Sequence, residues 1–367
     1  MQEPLAFLNG RWIPASAAAV PVSDAGFILG ATVAEQLRTF AGQLFHLDDH
    51  LARLFHSLEI IGLAPGMTPS EFAQTARELV ARNHALLAPG DDLGLSIFAT
   101  PGIYPAYASE PTSVSPLPLG EGQGVRASSP TPQDSPHPSP LPAGEGTVGS
   151  NSPLPLREGT VVETHAEPPG PARPAVCLHT YALPFHLWAR KYREGQALVT
   201  TEVEQVSPRC WPAGLKCRSR MHYYLADREA AARDPQARAL LLDAQGFVTE
   251  ASTANLLIYR AGEGLVWPPT KKVLRGISLS VLVELVGRFG IAAGEHELTT
   301  DDVASADEVF LSSTPLCLLP VTRLNGRPIG AGQPGALFER LIAAWSEMVG
   351  VDIVGQAERF AIRKHER

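Results

Sequence analysis

LDAQGFVTEASTANL, the stretch from Leu242 to Leu256, decides how the rest of the chain is read. The runs Phe247 to Thr249 and Leu256 to Arg260 read as short strands, with Gly246 at the turn before the first. The stretch therefore reads as strand, turn and strand, with Glu250 emerging at a strand end. Upstream, Gly214-Leu215-Lys216-Cys217-Arg218-Ser219-Arg220 sets a lysine in a weakly polar segment behind Trp211, and a helical run follows from Ser219 to Arg233. Downstream, Leu274-Arg275-Gly276-Ile277-Ser278 opens a second helix that ends near Gly290.

Further out, short strands are expected at Ala197 to Val203, Ala239 to Leu242, Leu265 to Trp267, Val309 to Ser312 and Leu318 to Val321, with a helix from Gly335 to Val349. At the other end of the chain, Asn9-Gly10 marks a hairpin within Pro4 to Pro14, because that pair accepts the positive φ of a two-residue turn. Gly26 to Leu47 reads as further short strands, among them Val33 to Phe40. Leu47, Leu51, Leu54, Leu58 and Ile61 then recur at helical spacing, with Asp48 and Asp49 in the first turn and Gly62 as the stop. Thr68-Pro69-Ser70-Glu71 is a capping box that opens a helix through Leu87, and Leu93 to Thr100 is a buried strand. Strands and helices in this order give an α+β fold with mixed strand pairing.

Between Ser109 and Pro174 the composition turns to proline, glycine, serine and glutamate, with near-copies SPLPLGEG from Ser115, SPLPAGEG from Ser139 and SPLPLREG from Ser152. Such a segment buries too little apolar surface to offset its ordering entropy, so it is expected to be a disordered insertion in a loop between neighbouring strands. The expected layout is a first part of an N-terminal domain at 1–108, the insertion at 109–174, the continued N-terminal domain with an interdomain connection at 175–203, and a C-terminal domain at 204–367.

The 367 residues are 44% apolar and 19% charged, enough for two hydrophobic cores. A net charge of −8 with both signs interspersed leaves no basic face for nucleic acid or an anionic membrane. No run reaches the roughly 18 apolar residues of a bilayer span. A cytoplasmic protein acting on small molecules is the expectation. The four cysteines form no C-x-x-C pair, so neither a disulfide framework nor a metal site is read. GxGxxG, P-loop and GxSxG patterns are absent, which removes the common nucleotide-binding and serine-hydrolase readings.

Three pieces of chemistry remain. A lysine becomes a nucleophile toward an aldehyde cofactor when it loses its proton, and desolvation and nearby positive charge promote that loss. Lys216, with Arg218 and Arg220 beside it, has such surroundings. Pyridoxal phosphate acts as an electron sink when a carboxylate keeps its ring nitrogen protonated, and Glu250 is the candidate. A phosphate needs N–H groups and hydroxyls, which the helix start at Gly276-Ile277-Ser278 and the strand end at Ser312-Ser313-Thr314 offer, with Arg53 as a charged fork.

In order and spacing, Lys216, the block from Gly246 to Asn255, Leu274 to Ser278 and Glu308 to Thr314 resemble the class IV pyridoxal phosphate aminotransferases. That family includes branched-chain and D-amino acid aminotransferases and aminodeoxychorismate lyase. Asn9-Gly10, Gly26-Phe27 with Gly30, and His50-Leu51-Ala52-Arg53-Leu54 resemble it too. The resemblance implies fold type IV, two α+β domains with pyridoxal 5'-phosphate between them, and a homodimer. It implies that Lys216 is the Schiff-base lysine and proton shuttle, that Glu250 binds the ring nitrogen, and that Arg53, Ile277, Ser278, Ser313 and Thr314 hold the phosphate. Val33 to Arg38 is similar to the branched-chain enzymes' segment, which implies that Arg38 recognises the acidic co-substrate. Ala34 and Pro101 stand where D-amino acid enzymes use a tyrosine and an arginine. The Lys216-to-Arg220 spacing resembles the lyase and gives Arg220 a substrate role. The implied reaction moves the amino group of an L-branched-chain or similar apolar amino acid to 2-oxoglutarate. The alternative is 4-amino-4-deoxychorismate lyase, releasing pyruvate and 4-aminobenzoate.

Overall fold

Asn9 and Gly10, at φ of 50° and 83°, form the tight turn expected of that pair and join β1 (Leu5–Leu8) to β2 (Arg11–Pro14), with Leu8 opposite Arg11. The computed structural model describes residues 3–107 and 173–362. The Ser109-to-Pro174 insertion lies outside the described residues except for its last two.

The hairpin belongs to a sheet with β3 (Val33–Phe40), β4 (Gln43–Leu44), β5 (Leu93–Thr100) and β6 (Ala175–Ala182), in the order β2-β1-β6-β5-β3-β4. β5 and β6, the strands on either side of the insertion, pair antiparallel from Leu93↔Ala182 to Thr100↔Ala175. Gly26 to Leu47 is not all strand: α1 (Ala25–Ile28) forms there because the Asp24 carboxylate accepts the Gly26 N–H at 2.6 Å and nucleates a helical turn. α2 (Leu47–Ile60) and α3 (Pro69–His84) pack their leucine and alanine faces on this sheet, with Leu54, Leu58, Phe72 and Leu79 essentially inaccessible. The Thr68–Glu71 capping box starts α3 as read from the sequence. Each such buried leucine or phenylalanine contributes about 1.5–3 kcal/mol relative to exposure.

The second sheet holds β7 (Gln196–Thr200), β8 (Ala237–Leu242), β9 (Val248–Ala251), β10 (Ala254–Arg260), β11 (Gly264–Trp267), β12 (Ala293–Glu295), β13 (Glu308–Ser313), β14 (Cys317–Leu324) and β15 (Arg327–Pro328). Its order is β12-β11-β10-β13-β14-β7-β8-β9, and a further β9–β10 pairing returns the path upon itself. β7, expected in a connection, is an interior strand that runs parallel to both β8 and β14. The helices of this half are α4 (Lys191–Glu194), α5 (Met221–Arg233), α6 (Ile277–Arg288), α7 (Thr300–Ala304), α8 (Ala336–Val349) and α9 (Ile353–Phe360). α6 and α8 bury Leu282, Leu285, Leu341 and Trp345 in the larger core. Among the described residues no helix is long and apolar enough to cross a membrane.

Candidate active site

One cavity collects Arg53 from the middle of α2, the end of β9, the start of β10, the end of β13, the start of α6 and the segment before α5. Lys216, Glu250, Arg53, Ile277, Ser278, Ser313, Thr314 and Arg220 all line it.

Lys216 is held by its backbone on both sides. Its N–H donates to Ser57 Oγ at 3.1 Å, and its carbonyl accepts the Ala34 N–H at 3.0 Å. His50, Arg53 and Ser57 fall on one stripe of α2 by helical spacing, so the helix that packs the N-terminal core also presents a polar edge to the lysine. Among the described residues no hydrogen bond occupies Nζ. Burial disfavours the ammonium, Glu35 opposes that, and Arg53 and Arg220 reinforce it, so the amine is lowered to about 8.

Glu250, near the end of β9, is 4% exposed and stands opposite Asn255 of β10. Its Oε1 accepts from Gln205 Nε2 at 2.7 Å and from the Tyr223 hydroxyl of α5. Burial disfavours its charge and pushes it up to about 7, although Tyr223, Gln205, Lys216 and Arg220 all favour the ionised form.

Gly276 caps α6 with no side-chain acceptor, so the first N–H groups of this helix face the cavity without an internal partner. Asn255 sets the approach to that cap: its Oδ1 accepts the Gly276 N–H at 3.1 Å and its Nδ2 donates to the Leu274 carbonyl at 2.8 Å. A Cβ on Gly276 would collide with this oxygen. Ser312, 2% exposed, leaves Oγ buried without a partner beside Ser313 and Thr314. Arg53 forks onto Glu35, through Nε at 2.7 Å and Nη2 at 2.8 Å, while Nη1 donates to the Arg275 carbonyl at 2.9 Å. Burial raises Glu35, but Arg53, His50 and Lys216 outweigh it and hold the carboxyl at about 2.

Arg38 does not reach the cavity, which corrects the co-substrate role expected of it. It shares a face of β3 with the cavity residue Gln36, but two residues further along, about 7 Å, the strand has passed the mouth. There Arg38 is 1% exposed, donates through Nη1 to the Pro315 carbonyl at 2.9 Å and through Nη2 to Gln356 Oε1 at 2.8 Å, and stacks on Phe40. Its donors are spent inside the protein.

Sequence reasoning missed Tyr223, Gln205, Asn255, Glu35 and Lys272. Asn255 lay inside the opening stretch, and a glutamate within the apolar strand 33–40 was a signal for Glu35. Lys272 bridges Asp243 and Glu297 at 2.6 Å each and lines the cavity. Nothing in local sequence marked Tyr223 or Gln205.

The site fits an anionic phosphate at a helix start, an aldehyde near an amine that loses its proton readily, and a ring N–H near a buried carboxylate, and the Ser312 hydroxyl is left without a partner. Residues 160–324 match the family model "Amino-transferase class IV". The chain is 24% identical over 336 residues to a D-alanine aminotransferase of Bacillus licheniformis, covering 92% of this chain and 94% of the relative. It is 32% identical over 121 residues to a branched-chain-amino-acid aminotransferase of Pseudomonas aeruginosa, 33% of this chain and 39% of that one. The solved branched-chain amino acid aminotransferase of Escherichia coli superposes with a TM-score of 0.71 at 19% identity, covering 95% of each chain. Over residues 160–324 the chain resembles the class IV aminotransferases, and it has the fold type IV architecture. It is an enzyme of this class with pyridoxal 5'-phosphate as cofactor.

Proposed function

We propose that the chain moves the amino group of an L-branched-chain or similarly apolar amino acid to 2-oxoglutarate, with Lys216 as the catalytic base. The observation that carries this reading is that Lys216, with no bond on Nζ, shares one cavity with buried Glu250 and with Arg220, whose guanidinium has no ion-pair partner among the described residues.

Bound pyridoxal phosphate supplies the electron sink that lets a Cα proton leave. Lys216 Nζ, with its affinity for protons lowered to about 8, would take that proton and hold it for return. Glu250 would accept the N–H of the ring nitrogen. The backbone N–H groups of Ile277 and Ser278, the hydroxyls of Ser278, Ser313 and Thr314, and the Arg53 N–H groups not used by Glu35 and the Arg275 carbonyl would hold the phosphate. Arg220 takes over the carboxylate recognition that Arg38, spent elsewhere, does not perform. Trp211, Leu215 and Leu274 give apolar wall for the donor side chain. Buried Ala34 and half-buried Pro101, which offer neither hydroxyl nor guanidinium, favour the L-series over the D-series.

The purified protein, incubated with leucine and 2-oxoglutarate, is expected to form glutamate, and D-alanine is expected to be a poor donor. No transfer from any amino donor refutes the reading. Arg220 in the cavity, four residues after Lys216, favours the lyase as the second reading. Pyruvate release from 4-amino-4-deoxychorismate without amino transfer establishes it instead. A homodimer is also proposed. Phe27 of α1 and Leu29 just after it, and Met221, Tyr224 and Leu225 at the start of α5, are exposed apolar side chains. Ser219 Oγ donates to the Gly30 carbonyl at 2.8 Å, so the two segments adjoin. Light scattering should give twice the chain mass, and Tyr224→Lys should reduce it. The free thiols of Cys177, Cys210, Cys217 and Cys317 suit a reducing cytoplasm.

A further inference from the structure

The Glu250 carboxylate is held unevenly. Both protein donors, Tyr223 Oη and Gln205 Nε2, converge on Oε1, and no described residue bonds Oε2. Tyr223 reaches it from α5, packed against the small core cluster of Val199, Ala226, Ala230, Ala239 and Leu241. The phenol stays protonated, because burial and then the Glu250 charge raise it far above its ordinary value, so toward Glu250 it acts as a donor. The Gln205 amide is fixed in sense: its Nε2 meets the carboxylate, whereas its Oε1 is buried without a partner. The charged groups near Glu250 are Lys216 and Arg220, and both favour the carboxylate.

We propose that Tyr223 and Gln205 are positioning residues that clamp Glu250 by Oε1, so that Oε2 alone is offered, ionised, to the N–H of the bound cofactor's ring nitrogen. The inference rests on the reading of this cavity as the cofactor seat. Two neutral donors do what a single cation would do badly. A guanidinium would hold the carboxylate charged at any pH but compete with the ring N–H for its second oxygen, as Arg53 occupies both oxygens of Glu35. Hydroxyl and amide donors stabilise the charge and leave one oxygen vacant.

The test is the ring-nitrogen 15N chemical shift of labelled pyridoxal phosphate in the holoenzyme, followed from pH 6 to 10 in wild type, Tyr223→Phe and Gln205→Leu. Phenylalanine keeps the packing of the ring, and cofactor uptake is verified by the visible absorbance band. The midpoint for loss of the ring proton is expected to fall by about one pH unit, a tenfold change in proton affinity, in each variant and by more in the double variant. Gln205→Glu, which adds a second acceptor beside Oε1, is expected to leave Glu250 protonated and the ring nitrogen bare at pH 8. A ring nitrogen that titrates as in wild type, or stays protonated to pH 10, in both Tyr223→Phe and Gln205→Leu overturns the clamp while leaving the cofactor seat intact. Failure of wild type to take up cofactor overturns the seat itself, and the clamp with it.

Discussion

Replacing Arg38 with methionine separates two accounts of the same residue. In the structure the guanidinium is a strut: it ties β3 to the Pro315 carbonyl, which directly follows the Ser313-Thr314 hydroxyls, and to Gln356 of α9, whose Nε2 donates onward to Asp92 at 2.8 Å. Methionine keeps contact with Phe40 and Phe185 but leaves the buried Gln356 Oε1 and the part-buried Pro315 carbonyl without donors. An abandoned buried acceptor costs about 1–3 kcal/mol, and the Pro315 carbonyl sits at the low end because water can reach it. Relief from burying a cation offsets part of this, so a net loss of about 2–4 kcal/mol is expected. Urea unfolding of the apoprotein measures it: with a slope of about 3 kcal/mol/M for a chain of this size, the midpoint falls by about 1 M. The Michaelis constant for 2-oxoglutarate should change by less than about threefold. If stability is unchanged to within about 0.5 kcal/mol and that constant instead rises tenfold at unaltered kcat, Arg38 binds the oxo acid and the strut is wrong.

Lys216→Ala should abolish both the visible absorbance band of bound cofactor and amino transfer; retention of the band at full intensity would place the covalent lysine elsewhere. Asn255→Ala frees the Gly276 N–H and the Leu274 carbonyl, and at about 1–2 kcal/mol for the loosened helix start the cofactor dissociation constant should rise roughly tenfold in a fluorescence titration, whereas an unchanged constant removes α6 from the phosphate seat. Apoprotein stability should depend on pH through Glu250: its folded value of about 7 lies above its ordinary 4.5, so its contribution is complete below 4.5 and is lost as pH rises through 7. Urea midpoints across that window should fall in wild type and fall less in Glu250→Gln. Glu35 works in the opposite sense, held at about 2, so its contribution is present above 4.5 and lost as the solution is acidified toward 2, and Glu35→Gln should cost about 3 kcal/mol at pH 7 by leaving Arg53 half-buried without its carboxylate.

What the sequence made legible was local. The Asn9-Gly10 turn, the Thr68–Glu71 capping box and the leucine spacing of α2 are each set by a few neighbouring residues, and they appear where their chemistry requires them. The residues suggested for the cavity were spread over Arg53, Lys216, Glu250, Ser278 and Thr314, and only an ordering of motifs tied them together. The structure brings those five to one cavity. Arg38 misled because strand alternation puts it on the correct face and says nothing of how far along that face the cavity ends. α9 and the interior placement of β7 depend on contacts hundreds of residues apart, such as Arg38 to Gln356, which no periodicity encodes. Tyr223 was invisible for the same reason: its partner is on a strand reached only after α5 and β8 have turned back.

The two buried glutamates of this region explain how one fold makes a structural carboxylate and a reactive one from the same side chain. Glu35 is 0% exposed and Glu250 4%, so burial penalises both charges heavily. Glu35 meets a guanidinium that forks onto both of its oxygens and a histidine at 2.8 Å, and it is pinned as an anion far below neutral pH. Glu250 meets a phenol and an amide on one oxygen and ends at about 7. Neutral donors lack the net charge of a guanidinium, so here they do not cancel burial and leave protonation open near neutrality. Lys216, displaced downward to about 8 by the same burial, then lies within about a unit of Glu250 across the shared cavity. A base and a ring-nitrogen partner poised together near neutral pH are what moving a proton at Cα demands, since transfer is efficient when the group's proton affinity matches the working pH. The guanidinium of Arg53 supplies the contrast: by neutralising Glu35 it keeps a second buried carboxylate from pulling Lys216 back to its ordinary, fully protonated state.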